Sequence, residues 1–208
     1  MDSLALTFSS GWASGVNAYL VVLVLGLSDR IADRPDVPDV LARADVLAVA
    51  AVLYGFEFIA DKIPYVDSVW DAVSTAIRPT AGAVVGVLLA GDATSLPQAV
   101  GAVVGGGTAL LSHTIKAGTR LAVNTSPEPA SNVLVSVLED LAVLGVVWFA
   151  IEHPVAAAGI AAVLLVAGGV LLVLALRLVR QGWRAWRERR QRRPTGRPTG
   201  RSPGGTGH

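Results

Sequence analysis

At 208 residues, with 52% hydrophobic and only 16% charged side chains and a mean hydropathy of +0.56, the chain has too little polar surface for a soluble globule and reads as an integral membrane protein. The absence of cysteine excludes a disulfide framework and a thiolate metal site, and three histidines, with only His113 inside an apolar segment, exclude a histidine-rich metal cage. The net charge of +1 hides an asymmetry: ten arginines and one acid lie from Arg177 onward, leaving 7 basic against 15 acidic groups before it, a net of −8.

Apolar runs lie near 6–28, 44–60, 68–91, 97–123, 132–152 and 154–178. About 20 residues cross the hydrocarbon layer, and five of the six runs reach or approach that length. The first is expected to be a retained helix, because Met1-Asp2 offers no basic n-region and no small-residue cleavage site follows. Within it Ser10, Ser14 and Asn17 share a face, which suits hydrogen bonding between helices. Arg30, Arg34 and Arg43 follow, offset by Asp29, Asp33, Asp36, Asp39 and Asp45. The third run contains Pro79, so 68–91 is either one kinked helix or an amphipathic helix ending at Arg78 before a re-entrant segment. If 67–78 is helical, Asp67, Asp71, Ser74 and Arg78 fall within a stripe of roughly 60°, with Trp70, Val73 and Ile77 opposite.

The fourth run carries His113, Lys116 and Arg120 on one face, and the fifth carries Asn132, Ser136 and Glu139 with Asp140 alongside. Small residues four apart, at Gly11 and Gly15, Gly82 and Gly86, and Gly101 and Gly105, suit close helix packing within the bundle and leave a homo-oligomer through these helices open. The triple glycine 105–107 marks either close packing or a local break lining a cavity. The expected fold is all-α: a polytopic membrane bundle of about six hydrophobic helices, its layout compatible with two inverted three-helix repeats. Six crossings place both termini in the cytoplasm and Lys62, Lys116 and Arg120 near the inner face. The expected division is a transmembrane domain over 1–178, a basic amphipathic juxtamembrane helix over 179–193 and a disordered tail over 194–208.

A charge in mid-bilayer costs several kcal/mol or more, so the ionisable residues of these runs should face one another or a watery cavity. The candidates for a transport site or polar network are Glu57, Asp61, Lys62, Asp67, Asp71, Arg78, His113, Lys116, Arg120, Glu139 and Asp140. Six acids against four bases leave two acids over, which points to a proton or cation pathway; alternatively, Asp61, Lys62, Asp67 and Asp71 lie in interfacial water. No cofactor is expected, and a metal is left undetermined. Asp67-x-x-x-Asp71 could hold a divalent cation on a diphosphate, but no second aspartate-rich motif accompanies it. There is no G-x-S-x-G, H-E-x-x-H or Walker loop, so an intramembrane enzyme is the least favoured class and no catalytic residue is assigned.

The tail 177–193 sets Trp183, Arg184, Trp186 and Arg187 among further arginines, the composition of a headgroup-level anchor for anionic lipid, not of a nucleic-acid site. Clustered arginines resist translocation, so the carboxyl terminus is expected on the cytoplasmic side of the cell membrane.

Phe56-Glu57-x-x-Ala60-Asp61-Lys62-Ile63-Pro64 with Asp67, Trp70-Asp71 and Ile77-Arg78-Pro79 resembles a family of bacterial membrane proteins, domain of unknown function 4126. His113-x-x-Lys116-x-Gly118-x-Arg120, Ser126-Pro127, Asn132 and Leu138-Glu139-Asp140 resemble it too, so the likeness covers roughly residues 10–155. It implies a bacterial multi-pass inner-membrane protein and carries no activity with it. The residues themselves point to a small transporter or channel-like protein moving an ion or polar solute through a charged centre. The alternative is a lipid-interacting or scaffolding protein in which the charges fasten the bundle.

Overall fold

The computed structural model describes residues 2–63, 65–91, 94–123 and 129–191. Pro64, Ser126, Pro127 and the tail 194–208, together with the side chains of Asn132 and Trp186, lie outside the described residues. Among the described residues there are six α-helices and no strand: α1 (Asp2–Ala32), α2 (Ala44–Ala60), α3 (Val66–Leu89), α4 (Ser95–Val123), α5 (Pro129–Glu152) and α6 (Pro154–Gln191), with a short 3-10 turn at Asp39–Ala42. The protein is therefore a polytopic membrane helix bundle. α1, α3, α5 and α6 are each long and apolar enough to span a bilayer. α2, at 17 residues, is about 26 Å long, and α4 buries Thr108, Ser112, His113, Lys116 and Arg120 on its inner face.

The organising element is α1. Asn17 has φ −152° and ψ 95°, outside helical geometry, and divides α1 into arms α1a (2–16) and α1b (18–32). Each arm is about 22 Å long, so a straight α1 would hold its ends more than 40 Å apart. Instead Asp2, Ser3 and Leu6 from the start of α1a and Pro35, Asp36 and Pro38 from beyond α1b line one cavity of about 250 Å³. The chain thus enters the bundle, reverses at Asn17 and leaves by the same face.

The local chemistry accounts for the reversal. Asn17 is in the extended region favoured at an N-cap, and its Oδ1 accepts the N–H of Leu20 at 3.0 Å, three residues into α1b. Its Nδ2 donates to Asp140 Oδ1 at 3.0 Å. At the end of α1a, the carbonyls of Trp12 and Val16 accept from Ser112 Oγ at 2.7 Å and Lys116 Nζ at 3.0 Å, and that of Gly15 accepts from Arg78 Nη1 at 3.4 Å. Irregular backbone at membrane depth is tolerated only where protein supplies such partners.

Small residues let α1a into the centre. A Cβ on Gly15 would lie 2.1 Å from the Ala109 carbonyl oxygen, and one on Gly11 2.7 Å from that of Gly105. The α3–α4 seam is equally close: Gly82 faces Gly105, and Gly86 faces Gly101. These glycine pairs are used within the chain, so any assembly of copies must use other surfaces. The α1 window is 78% buried and that of α6 only 6%, making α1 the core and α6 a lipid-facing rim.

One expectation is corrected and two open alternatives are decided. Both ends of α1 lie at the end of the bundle where α6 starts, and α6 runs from there past Gly118 of α4, so α1 begins and α6 ends at opposite ends of the bundle, against the expectation of termini that share a side. α3 runs unbroken through Pro79, so the re-entrant element is α1 and not the segment after Arg78. α4 is likewise continuous through Gly105–Gly107, whose role is close approach to α1a and α3. The halves have three helices each, but the first begins with a helix broken at Asn17 where the second begins with the continuous α4.

Candidate functional site

The charged stripe of α3 points inward as its spacing requires: Asp67, Asp71, Ser74 and Arg78 are buried while Val69 and Val73 on the opposite side are exposed. Arg78, 1% exposed, donates from Nη2 to Glu57 Oε1 at 2.8 Å and lies 3.1 Å from Asp71 Oδ1. Its Nη1 also lies 2.9 Å from His113 Nδ1. A guanidinium has no acceptor, so Nδ1 accepts and the imidazole proton is assigned to Nε2, which lies 3.0 Å from Thr75 Oγ1. The Thr75 hydroxyl in turn donates to the Asp71 carbonyl at 2.9 Å. A neutral histidine therefore bridges α3 and α4.

One helical turn further along α4, Lys116 Nζ donates to Asp61 Oδ2 at 2.8 Å and to the Val16 carbonyl, with Glu139 Oε2 at 3.6 Å and Glu57 Oε1 at 3.7 Å. Arg120 closes the cluster, donating to Glu139 Oε2 at 2.6 Å and to the Asp61 carbonyl at 2.9 Å, with Asp67 Oδ2 at 3.9 Å. The cluster joins α1, α2, α3, α4 and α5. Breaking a buried pair by deleting one partner costs about 3–5 kcal/mol, so these contacts hold the bundle together whatever else they do.

Of the expected residues, Glu57, Asp61, Asp67, Asp71, Arg78, His113, Lys116, Arg120, Glu139 and Asp140 converge here, Asp140 through Asn17. Lys62 does not. It lies over the Phe58 ring, 2.9 Å from the centroid, and donates to the Phe58 carbonyl. Placed at the end of α2, its side chain turns back along its own helix rather than into the bundle. The interfacial-water reading of Asp61, Asp67 and Asp71 is also corrected, since these are 2%, 0% and 4% exposed. Six carboxylates therefore face three cationic side chains, a formal surplus of three negative charges. Glu57 Oε2 and Asp140 Oδ2 are buried without a hydrogen-bond partner, as are the hydroxyls of Ser10, Ser14, Ser74 and Ser136. Among the described residues no three His, Asp or Glu side chains converge at metal-binding distance.

Sequence reasoning placed Asn17 as an interhelical hydrogen-bonding residue but missed its cap and the two carbonyls it frees, Gly15 and Val16. The available clue was Gly15-x-Asn17, a helix-ending residue and a helix-starting residue together in mid-span. Thr75 was missed as well. In the tail, Arg180, Trp183, Arg184 and Arg187 line a shallow groove on one side of α6, at a spacing that repeats every helical turn.

Broken helix, buried ion pairs and a lipid-facing rim together define a multi-pass helical membrane protein with a charged intramembrane centre. A family model described as domain of unknown function (DUF4126) matches residues 4–176, and the chain belongs to that family. No curated protein and no solved structure matches it.

Proposed function

We propose that the protein is a small transporter or channel-like protein of the cell membrane that moves an ion or polar solute through this centre. The observation that carries the reading is the break at Asn17. It ends one half-helix and starts another within the bundle, beside charged side chains from four other helices. Discontinuous helices of this kind place freed carbonyls and N–H groups at substrate and ion sites near the bilayer midplane. A purely structural span has no need of such a break, which exposes backbone groups that the protein must then satisfy. The surplus of carboxylates favours protons or cations over anions.

For orientation, we place the carboxyl-terminal end of α6 in the cytoplasm, with Trp183, Arg184 and Arg187 against anionic headgroups. The face bearing Lys62 lies on the same side.

The test is flux in proteoliposomes across protons, monovalent and divalent cations, for wild type, Glu57→Gln and Glu139→Gln. Flux that falls at least tenfold in either variant is expected; no flux dependent on either residue refutes the reading. The second reading, in which the charges only fasten the bundle, is favoured by the pairing of Arg78, Lys116 and Arg120. It requires that wild type transports nothing and that Glu57→Gln acts on folding alone.

A further inference from the structure

The environment of Lys116 differs from that of the two arginines. Its side chain is 2% exposed, and four oxygens surround the ammonium: the Val16 carbonyl at 3.0 Å, Asp61 Oδ2 at 2.8 Å, Glu139 Oε2 at 3.6 Å and Glu57 Oε1 at 3.7 Å. These come from the end of half-helix α1a, from the carboxyl-terminal end of α2 and from α5, so the fourth oxygen of this cage, the Val16 carbonyl, is in place only when the re-entrant hairpin is seated. The ammonium holds the Val16 carbonyl and Asp61 closely and shares Glu57 Oε1 with Arg78 and Glu139 Oε2 with Arg120. The other oxygen of the Glu57 carboxylate, Oε2, is buried with no hydrogen-bond partner, although Glu57 is 0% exposed. A buried acceptor left unused costs about 1–3 kcal/mol, so its persistence calls for a partner at some stage of function.

A lysine ammonium is a monovalent cation on a flexible four-carbon tether. A half-helix carbonyl combined with carboxylates is also the donor set with which broken-helix sites hold coupling cations. Magnesium demands a near-octahedral shell and calcium six to eight oxygens, and the four oxygens around Nζ offer neither. We infer that this cage is the cation site of the transport path, that the Lys116 ammonium occupies it in the resting protein, and that a free monovalent cation of the sodium or potassium class takes its place during the cycle. The inference rests on the transport reading and names the substrate class of the same site. The formal surplus of negative charge, with Arg78 and Arg120 retained on their partners, lets the centre accept a further positive charge. Lys116 is a positioning residue in this scheme: it keeps the carbonyl of Val16 and the three carboxylates gathered until the ion arrives.

The experiment compares thermal unfolding of full-length wild type, Lys116→Met, Lys116→Gln and Lys116→Met/Glu57→Gln in detergent. Sodium, potassium and choline chloride are used at equal ionic strength. Wild type should unfold at the same temperature in all three salts, because the cage is filled. Lys116→Met should gain about 3 °C in sodium or potassium chloride at roughly tenfold excess over Kd, relative to choline. Lys116→Gln, which keeps a donor for the Val16 carbonyl, should respond in the same direction, and removal of Glu57 should abolish the response. The inference is overturned if both single variants behave alike in all salts, if the double variant responds as Lys116→Met does, or if neither single variant can be recovered folded in any salt. Flux that persists in wild type beside salt-insensitive variants sinks the cage and spares the transport reading. A cation-dependent Lys116→Met with no wild-type flux supports the cage and sinks the transport reading.

Discussion

Replacing Asn17 with alanine should be among the most damaging single substitutions in the hairpin. Asn17 is fully buried and makes two hydrogen bonds of 3.0 Å, accepting the Leu20 N–H and donating to Asp140. Loss of a helix N-cap costs about 1 kcal/mol. Asp140 would lose the donor to Oδ1 while Oδ2 already has none, which adds about 1–3 kcal/mol for a buried acceptor left unmade. The total is about 2–4 kcal/mol. Asn17→Ser keeps an oxygen for the cap but is too short for Asp140, and should fall between wild type and alanine. Asn17→Asp also keeps the cap, yet sets a second carboxylate against Asp140, and should be worse than serine. Denaturant unfolding in mixed micelles, followed through tryptophan fluorescence with Trp12 buried in α1a, measures the differences. The double variant Asn17→Ala/Asp140→Ala should be less destabilised than the sum of its parts by about 1–2 kcal/mol, because both single changes break one bond. An Asn17→Ala protein within about 0.5 kcal/mol of wild type, or an additive cycle, would refute this account of the break.

The topology is open to direct test, since the chain has no cysteine to remove. Single cysteines at Ser3 and Asp36 should react with an impermeant maleimide from the same side of sealed vesicles, and one at Arg184 from the other. Labelling of Ser3→Cys and Asp36→Cys from opposite sides means that α1 crosses. The glycine seams give a second contrast. Gly105→Ala puts a Cβ 2.2 Å from the Gly82 carbonyl oxygen, so folded yield should fall sharply. Gly107→Ala meets nothing within 4 Å and should be neutral or up to about 1 kcal/mol stabilising through helix propensity. Equal yields of the two proteins would show that the close approach is unimportant.

Much of the fold was legible because apolar length is a strong constraint. The runs 44–60 and 154–178 begin where α2 and α6 begin, and Pro129 and Pro154 occupy helix starts that suit a residue without an N–H. The inward stripe of α3 was legible for the same reason: charges at spacings of three and four have one inexpensive direction in a membrane. The reversal in α1 was not legible from hydropathy, because a re-entrant hairpin surrounded by protein and a single span surrounded by lipid can share one composition. The difference lies in size and not in polarity. Ser9, Ser10, Gly11, Ala13, Ser14 and Gly15 form a slender arm that α3 and α4 can enclose, whereas the rim helix α6 carries valine and leucine toward lipid. Lys62 was misplaced because sequence distance from Asp61 says nothing about which way a side chain at a helix end turns.

The arrangement also explains why the charges and the break occur together. A straight α1 would satisfy its own backbone, and Lys116 and Arg78 would then have only carboxylates to answer. Breaking α1 at Asn17 frees the carbonyls of Gly15 and Val16, and the same two cations bind them. Each cation thereby links the re-entrant arm to a carboxylate on α2: Arg78 to Glu57 and Lys116 to Asp61. The seat of the hairpin and the charged centre therefore share Arg78 and Lys116. A change that unseats α1a takes the Val16 carbonyl away from Lys116. A bundle held by apolar packing alone would have no such coupling, and Glu57→Gln would then leave the maleimide reactivity of a cysteine at Ser14 unchanged. With the coupling described, it should raise it.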